Sequence, residues 1–190
     1  PDRPGQAVCP GFLDRQSLAQ LAAEAAQLWR DGEFRHARIG IGAARQLRPE
    51  IRSDRVMWLD SSQASPALAD YFSRLEQLRL ALNETLFLGL FGFEAHLTVY
   101  PAGSFSGATW ISSGGRRIVS CIRYLNDDWS AGDGGQLRLY LPDNGEPVGV
   151  LPEGGKLVVF LSDSMEHEVL PASRERFSLT GWLRLRGANP

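Results

Sequence analysis

The amino-acid sequence predicts a single α+β domain in which two helices precede an antiparallel β-sandwich or jelly roll. Three observations lead to this prediction. The chain has 190 residues, about the length of one domain. Apolar residues recur at helical spacing only in the first half of the chain. From Phe93 onward they alternate within short segments separated by glycine and proline, and helices followed by strands are typical of the α+β class.

Two helices are predicted in the first half. The first follows the N-cap candidate Asp14 and ends at Gly32. The second has Ser65 as its N-cap and Pro66 in its first turn, where a missing N–H costs little. A short strand candidate, Val56–Leu59, lies between them. We expect the second helix to pack one apolar stripe against a sheet, and the stripe consists of Leu68, Phe72, Leu75, Leu78 and Leu82.

Six strands are predicted in the second half, where glycine and proline clusters such as 132–135 and 152–155 mark the turns. We expect one domain over residues 1–190, with a mainly helical support region at 1–85 and a β core at 86–187. The six strand candidates are Phe93–Tyr100, Ile118–Asn126, Gln136–Leu141, Lys156–Phe160, His167–Leu170 and Ser178–Arg184.

Composition excludes several classes of function. The formal charge of −2 argues against a partner that is a nucleic acid, because such binding neutralises phosphates. No apolar run approaches the roughly 18 to 20 residues of a membrane span. Two cysteines, Cys9 and Cys121, do not make a disulfide scaffold, so a reducing cytoplasm is the expected location. Cys121 lies in an apolar strand and is expected to be buried and unreactive.

Three arginines, Arg116, Arg117 and Arg123, are expected to form a local basic patch near the mouth of a pocket. A solvated surface is the simpler interpretation of this patch, and contact with an anionic ligand or a peptide is the alternative. The chain also has three histidines. For His36 and His96 the sequence favours a surface position or a hydrogen-bonded structural role.

His167 differs because of the residues that follow it. The segment from Asp163 to Trp182 resembles the C-terminal signature of the 2-oxoglutarate and Fe(II)-dependent oxygenases, in particular their prolyl 4-hydroxylase branch, which includes the oxygen-sensing prolyl hydroxylases and their bacterial relatives. In that family a histidine binds iron, and an arginine nine residues later pairs with the distal carboxylate of 2-oxoglutarate. His167 and Arg176 have this spacing, and a guanidinium offers a carboxylate a planar two-point contact. Thr180 and Trp182 match positions that line the same pocket.

The resemblance extends over roughly residues 35 to 186 and implies a double-stranded β-helix, the cupin-like jelly roll, supported by the N-terminal helices. The segment 51–59 resembles one that borders the family's active-site entrance, and 100–105 resembles the entry into its barrel. Tyr124 matches a tyrosine that hydrogen-bonds the cosubstrate carboxylate. The resemblance implies a groove for a protein or peptide substrate, and its candidate residues are Arg52, Asp54, Trp58 and Tyr100.

The family's metal motif is where this sequence departs from the pattern. A His-x-Asp motif is expected nine to eleven residues after Tyr100, and those positions hold Thr109 and Ile111. No histidine or carboxylate occurs from residue 106 to 113. Two histidines and a carboxylate form the triad that holds Fe(II), so His167 is the one triad position left in the sequence. We therefore expect the iron that the family implies to bind poorly and oxidation to be impaired or absent.

Three interpretations stay open at this stage. The chain is a pseudoenzyme that lost its metal and kept a pocket for 2-oxoglutarate or a similar carboxylate, or an engineered variant with a replaced loop, or an active prolyl hydroxylase with unorthodox ligands. The candidate cosubstrate residues have an alternative too, since they could serve barrel packing alone. Those residues are Arg176, Tyr124, Thr180 and Trp182.

Overall fold

The computed structural model describes residues 5–38, 46–109, 117–141, 146–162 and 164–186. In these ranges two helices accompany two antiparallel sheets, together with short 3₁₀ turns at Ser61–Gln63 and Ala131–Asp133. In chain order the elements are β1 (Gln6–Pro10), α1 (Arg15–Arg30), β2 (Arg35–His36), β3 (Arg55–Trp58), α2 (Pro66–Leu86), β4 (Leu90–Tyr100), β5 (Ser106–Thr109), β6 (Arg117–Tyr124), β7 (Leu137–Tyr140), β8 (Val148–Val150), β9 (Lys156–Leu161), β10 (Glu166–Val169) and β11 (Arg176–Leu185).

Both helices begin at the predicted caps. The Asp14 side chain accepts a hydrogen bond from the backbone N–H of Ser17, and the Ser65 hydroxyl accepts one from Leu68. Helix α1 ends before Gly32, whose φ of 77° is the left-handed conformation that glycine adopts without strain. Among the described residues, neither helix has the length and apolar character needed to span a bilayer.

The strands form a seven-stranded sheet in the order β1-β9-β6-β11-β4-β3-β2 and a four-stranded sheet in the order β5-β10-β7-β8. All pairs of these named strands are antiparallel, as the sequence predicts. One apolar core joins the helices to the large sheet, and a second contains residues of both sheets. The second core fixes the distance between the sheets and so shapes the space inside the sandwich.

Helix α2 packs its predicted stripe on the large sheet. Leu68, Phe72 and Leu75 are buried there, whereas Leu78 and Leu82 are half-buried against the same core. Fully burying one such side chain contributes roughly 1.5 to 3 kcal/mol, so this stripe anchors the helical layer. The predicted burial of Leu75 is complete, whereas the burial of Leu78 and Leu82 is partial.

Four strands have no counterpart in the sequence prediction: β1, β2, β5 and β8. All four are edge strands: β1 and β2 in the large sheet, and β5 and β8 in the small sheet. Edge strands are short and need little apolar alternation, because one side of the backbone is unpaired. The segment 106–109, for example, consists of Ser, Gly, Ala and Thr, which give no period-two signal.

A β-bulge in β6 overturns the expected basic patch. Leu183 pairs with Val119 while the next residue, Arg184, pairs with Arg117, so one extra residue lies in β6. Beyond the bulge, the side chains of β6 point to the opposite face of the sheet from the one that alternation would give. Arg117 therefore lines the interior of the sandwich, whereas Arg123 is fully buried on the side of the helices. Arg116 lies outside the described residues. Arg117 and Arg123 therefore lie on opposite faces of the large sheet and do not form one basic patch.

Neither of the two cysteines forms a disulfide bond in the structure. Cys121 is fully buried in the core beneath the helices, as the sequence predicts, and burial raises the pKa of its thiol to about 12. It is therefore a protonated, apolar core residue at neutral pH.

Candidate functional site

A cavity of about 980 Å³ lies inside the sandwich, bordered by both sheets. This volume falls in the range of small-molecule sites. All three histidines of the chain line the cavity, together with six arginines from the ranges that the structure describes. The arginines are Arg35, Arg38, Arg52, Arg117, Arg176 and Arg184.

Arg176, the first residue of β11, lies at the closed end of this cavity and is only 1% exposed. Its Nε donates a hydrogen bond of 3.0 Å to the carbonyl oxygen of Gly135. Its guanidinium carbon lies 5.0 Å from the ring centres of both Tyr100 and Tyr124. Within the described part of the chain, neither Arg176 Nη2 nor Tyr124 Oη has a hydrogen-bond partner, although both atoms are buried. Burial raises the pKa of the Tyr124 phenol, so this end holds a cation beside a neutral hydroxyl.

Gly135 positions the Arg176 side chain, and sequence reasoning did not identify it. Its φ is 68°, and a Cβ atom there would lie 3.1 Å from the Trp129 ring and 3.3 Å from Arg176 Cδ. The glycine thus allows the backbone to approach the guanidinium closely enough to accept its Nε–H. A glycine pair at the start of a strand was the available signal, but pairs of this kind are equally typical of ordinary turns.

Arg52 and Asp54 form a two-point ion pair beside this site. Arg52 Nε and Nη2 donate to the two carboxylate oxygens of Asp54 at 2.7 and 2.5 Å. The Asp54 side chain is fully buried, so Arg52 borders the cavity and Asp54 lies behind it. An isolated bridge from Arg52 to Ser106 also links this segment to β5. Of the four groove candidates, Arg52, Trp58 and Tyr100 line the cavity and Asp54 supports it.

His167 in β10 pairs with Thr109 in β5, so the structure places the two residues opposite each other at the cavity wall. The His167 ring lies 5.2 Å from that of Phe160, and its Nδ1 lies 3.4 Å from the Met165 carbonyl oxygen. Burial lowers the pKa of His167 to about 4, so the imidazole is neutral near pH 7. Ile111 lies outside the described residues.

The side chains that the structure describes at this wall do not fit a facial triad for Fe(II). A threonine hydroxyl is a weak neutral donor, and the triad requires two imidazoles and a carboxylate. In the ranges that the structure describes, no group of three or more His, Cys, Asp or Glu side chains is arranged to hold a metal ion. Thr109 and His167 alone leave such an ion without the charged ligand that favours Fe(II).

Another wall of the cavity carries His96, which the sequence assigned to a structural role. Its ring lies 5.0 Å from Trp58 and 5.1 Å from Trp182, and its Nδ1 is 2.8 Å from Thr98 Oγ1. Burial, with a smaller effect of Arg52, lowers the pKa of His96 to about 3. The hydrogen-bonded role is therefore correct, but the residue also lines the cavity. Strand alternation carried this signal, because residues 96, 98 and 100 point to one face.

The mouth of the cavity, defined here by Arg35, Arg38, Arg117, Arg184 and Trp58, is cationic. Arg117 Nε and Arg184 Nη1 both donate to the carboxylate of Glu94, at 2.5 and 3.0 Å. The Arg117 guanidinium stacks 3.9 Å above the Trp182 ring centre. Trp58 is 46% exposed at this opening.

Comparison with known proteins identifies the family. The solved structure of a Pseudomonas putida prolyl-4-hydroxylase is 44% identical to this chain, with a TM-score of 0.87, and the match covers 95% of this chain and 92% of that one. The description 2OG-Fe(II) oxygenase superfamily applies to the sequence profile that matches residues 91–184. The chain belongs to this superfamily. The jelly-roll, double-stranded β-helix fold that the resemblance implied is thereby confirmed.

Other members are more distant in sequence. A Trichoplax adhaerens prolyl hydroxylase, solved in complex with a peptide of the hypoxia inducible factor oxygen degradation domain, is 25% identical with a TM-score of 0.87 over 95% of this chain and 83% of that one. Egl nine homolog 1 of Homo sapiens is 26% identical over 94% of this chain and 43% of its own length. The chain thus spans less than half of that protein, and about a quarter of the hypoxia-inducible factor prolyl hydroxylase of Caenorhabditis elegans.

Proposed function

We propose that this chain is a prolyl hydroxylase-like member of the superfamily that binds a carboxylate ligand, such as 2-oxoglutarate, and a peptide, while its oxidative activity is impaired or absent. The observation that carries the proposal is the unpaired polar end of the cavity. Arg176 Nη2 and Tyr124 Oη are buried there without partners in the described chain. An unpaired buried charge costs several kcal/mol in order of magnitude, and a bound carboxylate would remove that cost.

The residues around Arg176 suit the distal carboxylate of 2-oxoglutarate. Arg176 would donate from Nη2, and Tyr124 would donate from its neutral phenol. A group of hydroxyls continues from this end along the cavity, since Thr180 Oγ1 lies 3.5 Å from both Thr98 Oγ1 and Ser178 Oγ. These hydroxyls can hydrogen-bond a polar ligand without changing its charge.

Iron is the part of the family's chemistry that this wall supports poorly. In family members, Fe(II) and 2-oxoglutarate together supply the oxidising chemistry. Here the position opposite His167 is Thr109, and the position two residues later in the sequence is Ile111. We therefore infer that 2-oxoglutarate binds through its carboxylate alone and more weakly than it would with a metal to chelate its keto-acid end.

Calorimetry with 2-oxoglutarate, in the absence and presence of Mn(II), tests this function. We expect binding without metal, loss of binding in Arg176→Ala, and little change in His167→Ala. Arg186→Ala is the matched control, because Arg186 follows the same strand but stacks on Phe91 outside the cavity. A metal-dependent rise in affinity of about tenfold or more, or about 1.4 kcal/mol, would contradict the proposal.

An active protein prolyl hydroxylase with unorthodox ligands is the second candidate. The 44% identity to the Pseudomonas putida enzyme and the presence of His167 favour it. Its distinguishing result is release of succinate when Fe(II), 2-oxoglutarate and a proline-containing peptide are supplied together. Absence of succinate above the no-enzyme background, in a sample that binds 2-oxoglutarate, would favour the first candidate. A cytoplasmic location suits either one, because neither cysteine forms a disulfide bond.

A further inference from the structure

The ligand 2-oxoglutarate carries two carboxylates, and Arg176 and Tyr124 account for one of them. The other carboxylate belongs to the keto-acid end, for which the described side chains offer no metal triad. A second arginine, Arg52, borders the same cavity. Its guanidinium is therefore a candidate partner for the second carboxylate.

Arg52 lies at the corner where the chain passes from the small sheet to the large one. Its backbone forms an antiparallel bridge with Ser106 of β5, and β3 begins soon afterwards at Arg55. Strand β5 pairs with β10, which carries His167, and β3 pairs with β4, which carries His96. Burial is the main cause of the low pKa of both imidazoles, and the charge of Arg52 lowers each pKa further. The Arg52 guanidinium thus lies near both of these walls.

The ion pair with Asp54 fixes Arg52 and leaves one edge of its guanidinium for a ligand. Nε and Nη2 donate to the Asp54 carboxylate, so the Nη1 edge of the planar group is turned away from Asp54. The Arg52 side chain is 28% exposed, whereas that of Asp54 is fully buried and does not line the cavity. Burial opposes the charge of Arg52, but the bonds to Asp54 outweigh it and raise the pKa above its usual value. A ligand in the cavity therefore meets a charged guanidinium and not the carboxylate behind it.

Tyr100 separates the two guanidinium groups. Its ring centre lies 5.0 Å from Arg176 Cζ, and its hydroxyl is a neighbour of Arg52. Four C–C bonds of ~1.52 Å join the carboxylate carbons of a five-carbon dicarboxylate, so these carbons lie about 5 Å apart in the extended chain. Each ion pair adds about 2.8 Å, so such a ligand joins guanidinium nitrogens roughly 11 Å apart. This reach is enough to pass along one phenol ring from Arg176 to Arg52.

Carboxylates that would repel such a ligand lie away from this end of the cavity. Among the described residues that line it, the carboxylates are those of Glu33 and Glu94. Glu33 is exposed, and Glu94 precedes Tyr100 by six residues on β4, or about 20 Å along the strand. His96 and His167 are neutral near pH 7, because burial lowers the pKa to about 3 and about 4, respectively.

We propose that Arg52 binds the second carboxylate of the ligand, so that the site takes five-carbon dicarboxylates in general and does not select for the 2-keto group. Chelation of a metal requires the keto acid, whereas two ion pairs require only the two carboxylates. This inference rests on the proposed function and adds a second ion pair to the one at Arg176. It also gives Arg52 a role different from the peptide groove that the family resemblance implied.

Calorimetry in metal-free buffer tests the inference by comparing 2-oxoglutarate with two analogues. Glutarate keeps both carboxylates and lacks the keto group. The analogue 4-oxopentanoate keeps the keto group and the distal carboxylate and lacks the second carboxylate. We expect glutarate to bind within about threefold of 2-oxoglutarate, and 4-oxopentanoate to bind about tenfold more weakly, because it loses one charge-assisted contact.

The double variant Arg52→Gln, Asp54→Asn removes both charges of the ion pair together, so no buried carboxylate is left unpaired. We expect it to bind 2-oxoglutarate and glutarate about tenfold more weakly than the parent chain and to bind 4-oxopentanoate equally well. The matched control is Arg74→Gln, Asp70→Asn, which neutralises an ion pair on α2 whose members do not line the cavity. This control should leave all three affinities unchanged.

Equal binding of 4-oxopentanoate and 2-oxoglutarate to the parent chain would overturn the inference, and so would glutarate that binds tenfold or more weakly than 2-oxoglutarate. Arg176→Ala separates these results from the proposed function. If Arg176→Ala abolishes binding while the Arg52→Gln, Asp54→Asn variant binds 2-oxoglutarate as the parent does, only the assignment of Arg52 fails. If none of the three ligands binds the parent chain, the proposed carboxylate site fails and the inference fails with it.

Discussion

Thr109 of β5 pairs directly with His167 of β10 across the small antiparallel sheet. In the family pattern, position 109 is where the first histidine of His-x-Asp is expected. The backbone register therefore holds this position beside the remaining histidine even though the side chain has changed. The departure from the family pattern at position 109 therefore concerns the side chain and not the pairing of the strands.

Restoring the motif should restore metal binding. The double variant Thr109→His, Ile111→Asp supplies the missing imidazole and carboxylate, and a complete triad satisfies the ligand preference of Fe(II). We expect its affinity for Mn(II), measured by electron paramagnetic resonance, to exceed that of the unmodified chain by about tenfold or more. Thr109→His alone is the control and should gain less. Equal Mn(II) affinity of the double variant and the parent would show that strand register is not sufficient.

Replacing Gly135 by Ala should weaken carboxylate binding. The backbone at Gly135 has φ of 68°, and the new Cβ would press against Trp129 and Arg176 Cδ. We expect a loss of about 1 to 2 kcal/mol in unfolding free energy and a larger dissociation constant for 2-oxoglutarate. Gly132→Ala is the control, because its Cβ would meet only Ser130 Oγ at 3.7 Å. Unchanged 2-oxoglutarate affinity in Gly135→Ala would mean that Gly135 does not position Arg176.

Buried His96 should make the protein sensitive to mild acid. Its pKa is about 3 in the folded chain, lowered by burial and by Arg52 and Arg117 nearby, against 6.5 for a free imidazole. Between these values the unfolded state takes up a proton that the folded state does not, so falling pH favours unfolding. We expect urea unfolding to show decreasing stability from pH 7 to pH 5, with a shallower decrease in His96→Met.

The control for this pH dependence is His36→Gln, because His36 is exposed on β2. This variant should follow the parent protein at each pH. If His96→Met showed the same decrease as the parent, other groups would have to account for the acid sensitivity.

The sequence was sufficient to predict the elements that bury apolar side chains. Helix caps at Asp14 and Ser65 and the alternation in the six strands predicted from Phe93 onward have local causes, so they are visible in a single chain. Edge strands such as β5 are not, because pairing with β10 and not local preference makes them extended. The site shows the same division, since the resemblance of the segment from Asp163 to Trp182 to the family signature indicated both His167 and Arg176 before the structure.

Two features of the site depend on long-range geometry that spacing does not reveal. Gly135 contacts Arg176 from a different part of the chain, and no local pattern connects the two residues. The bulge in β6 moves the side chain of Arg117 to the other face of the sheet. Regular alternation would have placed Arg117 and Arg123 on the same face, because they are six residues apart. The position of Arg117 at the cavity follows from that one extra residue, whereas Arg123 faces the helices by the regular alternation of residues 119–123.

Arg123 provides a prediction about stability. It is fully buried between the large sheet and the helices, where Nη1 donates to the Gly155 carbonyl oxygen and Nε and Nη2 have no partner among the described residues. Burial lowers the pKa of this guanidinium to about 10, so it is charged at neutral pH without a carboxylate partner in the described chain. Replacing an uncompensated buried charge by an apolar side chain of similar length is often stabilising.

We therefore expect Arg123→Met to raise the unfolding free energy by about 1 kcal/mol in urea denaturation at neutral pH, after loss of the single bond to Gly155. The matched comparison is Arg79→Met, because Arg79 is also largely buried but pairs with Glu76 and donates to the Leu90 carbonyl oxygen. That variant should be destabilised. If Arg123→Met were destabilised to the same extent, the Arg123 guanidinium would have to be compensated in solution by water or an ion that reaches Nε and Nη2.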